Sequence, residues 1–269
     1  MKQVRIGLVG TGYIGRCHAI AYAQAPTVFP LDAELVLEYL AEVTPELAEK
    51  KAKEFGFKRF TGDWRDIVQD PNVDVVDICT PNFLHKEIAL AAIANGKHVY
   101  SEKPLALTAV DAKLMYEAAK QAGVKTLVGF NYIKNPTTQL AREIIANGEI
   151  GEVIHFYGTH NEDYLASENT PLDWHCVKEK AGLGALGDLA AHIVQMSQYL
   201  LGQDIHSVIG DMQTVIKTRP NPNNLQERLA VENEDGDYIS LWEIVWELNS
   251  INVANSLKVA KEILLFLYE

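Results

Sequence analysis

Over roughly the first half of the chain, short apolar runs alternate with longer stretches of mixed polarity. Residues 4–9 (VRIGLV), 34–42 (ELVLEYLAE), 73–79 (VDVVDIC), 98–101 and 126–130 are compact apolar runs, mostly β-branched, bounded by turn residues. That pattern predicts strands. The stretches between them predict helices. One runs from the glycines after residue 9 to about Gln24. Another, PELAEKKAKEF, starts at Thr44-Pro45, an N-cap followed by a first-turn proline, and ends at Gly56. Residues 63–68 predict a short helix. Residues 82–95, 108–121 and 136–147 predict longer ones, closed by Gly96, Gly123 and Gly148. Strands alternating with helices predict a doubly wound parallel sheet with helices on both faces.

Near Gly151 the pattern changes. Residues 152–160 (EVIHFYGTH) predict a long strand and 161–181 a polar, aromatic loop. Residues 188–201 predict a helix, 206–215 a strand and 218–224 (TRPNPNN) a loop. Residues 238–248, 251–259 and 262–268 read as consecutive strands. Together they predict an α+β domain on a mostly antiparallel open sheet, so the expected division is 1–148 and 149–269.

Composition narrows the function classes. The chain has 269 residues, 48% of them apolar, which excludes a disordered polymer. Its 24 Lys+Arg against 36 Asp+Glu give a net charge of −12, which argues against nucleic acid as a partner. No run reaches the roughly 18 apolar residues that span a membrane, and no apolar signal segment precedes residue 4. Cys17, Cys79 and Cys176 form neither a disulfide framework nor a C-x-x-C, so no metal is expected and a cytoplasmic setting fits.

The first candidate chemistry is Gly10-Thr11-Gly12-Tyr13-Ile14-Gly15, a G-x-G-x-x-G directly after a strand and opening a helix. Gly10 permits the turn, Gly12 lets backbone approach a pyrophosphate, and Gly15 lets helix and strand pack closely. An ordinary glycine turn and a methyltransferase loop are the alternatives. Glu42, ending the next strand, is placed to bind ribose hydroxyls, with Glu38 as a rival. A carboxylate followed by Val43, with no arginine beside it, favours NAD over NADP.

Three further segments end at strand C-termini, where such sheets place ligands: Thr80-Pro81-Asn82-Phe83-Leu84-His85, Ser101-Glu102-Lys103-Pro104 and Gly129-Phe130-Asn131-Tyr132. Each is also explicable as capping, turn or surface residues. Further on, a Gly-rich stretch leads to Asp188 and His192, four apart and so on one helix face. A neutral histidine suits proton abstraction from an alcohol, although a helix-surface pair or a core histidine is the plainer reading. Asp163, Tyr164, Trp174 and His175 in the preceding loop are candidates for sugar contacts, with loop packing the alternative.

With G-x-G-x-x-G at 10–15, T-P-N-x-x-H at 80–85, E-K-P at 102–104 and D-x-x-x-H at 188–192, the chain resembles the Gfo/Idh/MocA oxidoreductases. The resemblance covers about residues 4–260. It implies a Rossmann domain followed by an α+β domain whose open sheet mediates homodimers or homotetramers. It implies NAD-linked hydride transfer at a secondary alcohol of a sugar, inositol or polyol. Lys103 would sit between nicotinamide and substrate, Asp188 would hold substrate hydroxyls, and His192 would be the acid/base. Asn82, His85 and Glu102 would line the nicotinamide end, with Thr80 and Pro81. Asn131, Tyr132 and Trp174 would face substrate. Ala190 and Gln195 depart from residues common in the family. The chain also reads as short, with a second domain truncated relative to the family. An impaired, purely nucleotide-binding member is therefore the competing expectation.

Overall fold

In the computed structural model, residues 1–233 and the backbone of 239–246 are described. The first strand, β1 (Lys2–Val9), is central to a six-stranded parallel sheet. On one side lie β2 (Ala33–Ala41) and β3 (Arg59–Thr61); on the other lie β4 (Val75–Ile78), β5 (His98–Ser101) and β6 (Thr126–Val128). The order β3-β2-β1-β4-β5-β6 is that of a dinucleotide-binding Rossmann sheet, with its switch point between β1 and β4. The helices are α1 (Tyr13–Val28), α2 (Pro45–Phe55), α3 (Trp64–Gln69), α4 (His85–Ala94), α5 (Ala109–Ala122) and α6 (Pro136–Ala146).

The central strands of the sheet are buried on both faces, as a parallel sheet requires. Leu8 and Val9 are consecutive and buried, yet they belong to different apolar clusters. Leu8 packs with Ala19, Leu40, Ala48 and Ala52, whereas Val9 packs with Ile67, Val68, Ile78 and Ile88. Alternation of side chains across the strand divides the core this way. The helix ends follow their capping residues. Thr44 accepts a hydrogen bond from the Leu47 amide at 3.2 Å, and Thr108 accepts one from Asp111 at 3.1 Å.

The remainder contains α7 (Lys178–Ala181), α8 (Ala191–Leu201), β7 (Ile205–Met212), β8 (Thr218–Asn221), β9 (Asn224–Ala230) and β10 (Ile239–Trp246). β10 pairs antiparallel with β7, and β8 with β9, so strand succession does mark an antiparallel region. Two expectations need correction, and one strand is unexpected. Residues 152–160 form no strand: Ile154 and Tyr157 are 84% and 81% exposed, and a single extended segment becomes a strand only by pairing. Residues 218–224 are not simply a loop, because 218–221 pair with β9 despite their polarity. β3 is an additional strand, three residues long and too short to show a period. The expected strands 251–259 and 262–268 lie outside the described residues. Among the described residues no helix is long and apolar enough to cross a membrane.

Candidate active site

The glycine turn joins β1 to α1. Gly10 has φ +90°, and a Cβ there would lie 2.7 Å from the Cys79 carbonyl oxygen. A Cβ on Gly15 would lie 2.2 Å from the Gly10 carbonyl oxygen. Both glycines therefore serve the protein's own packing. Gly12 differs: its φ is −60° and a Cβ would meet nothing within 4 Å. The space above Gly12 is open to a ligand. The first turn of α1 has no side-chain cap and no acidic residue, so its amides are left for an anion. Tyr13 is 86% exposed beside them, and Ile14 packs partly inward.

Glu42 stands over this turn. Its Oε1 accepts hydrogen bonds from the Thr11 amide at 2.7 Å and hydroxyl at 2.6 Å, and its Oε2 accepts one from Val43 at 2.9 Å. Glu38 is committed elsewhere, to Arg59 at 3.0 Å and Lys58 at 3.4 Å. Across the switch point, Thr80 presents a buried Oγ1 with no hydrogen-bond partner. The open space at Gly12, the uncapped helix and this orphaned hydroxyl all fit a dinucleotide.

The loop after β4 is held from behind. Asn82 Nδ2 donates to the Ala181 carbonyl at 3.0 Å, tying the loop to the second half of the chain. His85 is fully buried, with its ring nitrogens 2.9 Å from the Thr80 and Pro104 carbonyl oxygens. Burial lowers its pKa. His85 thus braces Pro81 and its neighbours and lies behind the surface a cofactor would touch.

After β5, Glu102 is buried and its Oε2 accepts a hydrogen bond from the Lys103 amide at 3.1 Å. A Cβ on Gly129 would sit 2.2 Å from Glu102 Oε1, so that glycine makes room for the carboxylate. The Lys103–Pro104 peptide is cis. Lys103 Nζ donates to the Asp188 carbonyl oxygen at 2.9 Å and to its Oδ1. Tyr164 donates to the other oxygen, Oδ2, at 2.6 Å. Burial pushes the Asp188 pKa up. The Lys103 charge, with hydrogen bonds from Lys103 and Tyr164, outweighs it and holds the carboxyl below its usual range.

Asp188 lies in a single π-helical turn, 186–190, that leads directly into α8. One turn on, His192 is buried, with Nδ1 unpartnered. Tyr132 meets its ring edge-on at 4.8 Å and Phe130 at 5.9 Å. His160 stacks on it at 5.3 Å, and Tyr132 is also edge-on to His160 at 5.3 Å. Burial, then the Lys103 and His160 charges, lower the His192 pKa to about 4. The ring is therefore neutral across the ordinary pH range.

Of the loop candidates, Tyr164 reaches Asp188, and His175 meets Tyr164 edge-on at 5.7 Å. Trp174 stacks on His175 at 3.7 Å and so stands one ring further back. Asn131 is exposed on the turn that carries Tyr132. Arg219, fully buried on β8, donates to the carbonyls of Leu165 at 2.5 Å and Ser167 at 2.8 Å, anchoring the loop just past Tyr164. Sequence reasoning missed His160, hidden in the expected strand, and Arg219, hidden in the expected loop.

A family model described as "Oxidoreductase family, NAD-binding Rossmann fold" matches residues 4–130, and the Gfo/Idh/MocA C-terminal domain model matches 138–241. The chain belongs to the Gfo/Idh/MocA family. A levoglucosan dehydrogenase from Pseudarthrobacter phenanthrenivorans is 45% identical over 221 residues, 82% of this chain and 56% of that protein. A glucose-6-phosphate 3-dehydrogenase from Bacillus subtilis is 32% identical over 229 residues, 84% of this chain and 62% of that one. A structure of levoglucosan dehydrogenase in complex with NADH and levoglucosan superposes with a TM-score of 0.82 at 42% identity, over 87% of this chain and 62% of the other. The chain thus spans about six-tenths of the length of these Gfo/Idh/MocA relatives. Its N-terminal half is the NAD-binding Rossmann fold of the family.

Proposed function

We propose that this chain catalyses NAD-dependent oxidation of a secondary alcohol on a sugar or anhydrosugar, and the reverse reduction. What supports this reading is the meeting of Lys103, Asp188 and Tyr164 in one hydrogen-bonded group beside a neutral, buried His192. Relatives named for sugar oxidation, one of them crystallised with NADH and levoglucosan, point the same way.

When bound, NAD supplies the hydride acceptor. Gly12 and the first turn of α1 would hold the pyrophosphate, and Glu42 the ribose hydroxyls, exchanging its bonds to Thr11 for them. Lys103 donates a hydrogen bond to the reacting oxygen and stabilises the charge that develops there. His192 takes the hydroxyl proton at a ring nitrogen. Asp188 accepts a bond from a neighbouring hydroxyl and fixes the sugar's orientation. Tyr132, Trp174 and the turn at Asn131 shape the sugar's surroundings.

The same proposal divides the chain at about residue 148, between a cofactor domain and a substrate domain. It includes self-association through the sheet of β7 and β10. It places the protein in the cytoplasm, consistent with a chain that has three cysteines, at 17, 79 and 176, and no C-x-x-C. A screen of anhydrosugars, hexoses, hexose phosphates and inositols with NAD, followed by NADH absorbance, tests the activity. Turnover of one sugar class supports it. NADH binding without turnover of any would favour a purely nucleotide-binding role.

A further inference from the structure

His18 faces inward from α1, three residues past Gly15, and none of the chemistry above uses it. Its ring is 8% exposed and lies parallel to Tyr100, 4.8 Å between centroids. Nδ1 is 2.9 Å from Asp77 Oδ2, and Nε2 is 3.1 Å from Glu102 Oε1. Tyr22 donates to Asp77 Oδ2 at 2.7 Å. The Cys79 thiol lies 3.3 Å from His18 Nδ1 and 3.5 Å from Asp77 Oδ1.

Carboxylate oxygens only accept hydrogen bonds, and a neutral imidazole has one N–H to give. Two carboxylates on opposite ring nitrogens therefore need both nitrogens protonated, or one carboxyl protonated in their place. Asp77 is fully buried and Glu102 nearly so. Two adjacent buried carboxylates without a cation would repel each other and remain unsolvated. Glu102 already spends its other oxygen on the Lys103 amide.

We propose that His18 is a permanent buried imidazolium that holds Glu102 by its second oxygen and through it fixes the Lys103 backbone. His18 is a positioning residue for the Lys103 end of the site, a role that rests on the function proposed above. Asp77 is its counter-charge and Tyr22 orients Asp77. Burial disfavours the charged ring, but hydrogen bonds to Asp77 and Glu102 outweigh burial and raise the pKa to about 10. The groups facing His18 are Tyr22 on its own helix, Asp77 and Cys79 at β4, and Tyr100 and Glu102 at β5.

Nitrogen-15 NMR of the ligand-free protein, labelled at histidine, reads the first half of the proposal directly. His18 should keep both ring N–H protons from about pH 6.5, the ordinary imidazole pKa, to about pH 9. A neutral single-proton ring at about pH 8 would overturn it. The second half is read by amide hydrogen exchange. His18→Gln should speed exchange at Lys103 about tenfold or more and lower the melting temperature. Adding Asp77→Asn restores the net charge of the buried group and should recover most of the melting temperature, while Lys103 exchange stays fast. No recovery, or Lys103 exchange at the wild-type rate in the double variant, would contradict the charge and positioning roles respectively. Failure of the wild-type protein to bind NADH bears on the proposed function alone, because the His18 spectrum needs no ligand.

Discussion

Lys103 Nζ is bonded twice to Asp188, at the backbone carbonyl and at the carboxylate, joining the loop after β5 to the turn that opens α8. Each residue restricts the other's rotamers. With the Asn82–Ala181 bond, the pair joins the Rossmann half to the second half of the chain.

Lys103→Ala should lower turnover by roughly a thousandfold, the scale of losing a donor to developing oxyanion charge. The NADH dissociation constant should move little, because the pyrophosphate and ribose contacts proposed above are those of Gly12 and Glu42. Steady-state rates and fluorescence titration of NADH check both. Unchanged turnover rejects the role.

The two end glycines of the turn and the middle one should behave differently. Gly15→Ala puts a Cβ 2.2 Å from a backbone oxygen and should destabilise the fold. Gly12→Ala meets nothing and keeps an ordinary φ, so its melting temperature should match the wild type. Its NADH affinity should nonetheless fall about tenfold or more, since the methyl occupies the approach of the pyrophosphate. Calorimetry on the three proteins separates packing from binding.

As the proposed base, His192 should set the acid side of the pH profile. Its pKa is lowered from 6.5 to about 4, so the neutral base persists well below pH 6.5. The acid limb of kcat/KM for sugar oxidation should therefore fall near pH 4, and a limb near 6.5 would contradict the buried neutral ring. Stability follows the same window. The unfolded chain takes up this proton near pH 6.5 and the folded one near pH 4, so His192 costs stability as pH falls between the two.

Tyr164→Phe removes one bond to Asp188 and leaves Lys103 in place. The expected loss is about 1 kcal/mol, read as a rise in sugar KM of about fivefold with a smaller change in kcat. Equal loss in kcat and none in KM would place Tyr164 in the chemical step.

Much of the Rossmann half is legible from residues 2–128 because its order follows from local signals: apolar runs, N-caps at Thr44 and Thr108, glycines at helix ends. The extra strand β3 escapes, being three residues pinned by its neighbour β2. The second half is less legible because its strands depend on distant partners. EVIHFYGTH has the composition of a strand but no pairing among the described residues, while the polar TRPN becomes one by pairing with 224–230. At the site, Lys103 and Asp188 are picked out only when the four motifs are read together as a family resemblance, because each alone has a plainer reading. His160 is not, because it reaches His192 only through the course of the chain between 152 and 176. One further sign lies in the sequence: Asp77, an acidic residue in the middle of a buried strand, calls for an internal partner, and His18 Nδ1 lies 2.9 Å from its Oδ2.

The central claim is hydride transfer from a sugar carbon to NAD at this site. The most direct measurement uses levoglucosan or another sugar found to react, deuterated at the carbon that is oxidised, with mass spectrometry of the NADH formed. Deuterium on the nicotinamide with wild-type protein, formed roughly a thousandfold more slowly with Lys103→Ala, is the predicted result. Bound NAD that acquires no deuterium from any sugar tested would contradict it.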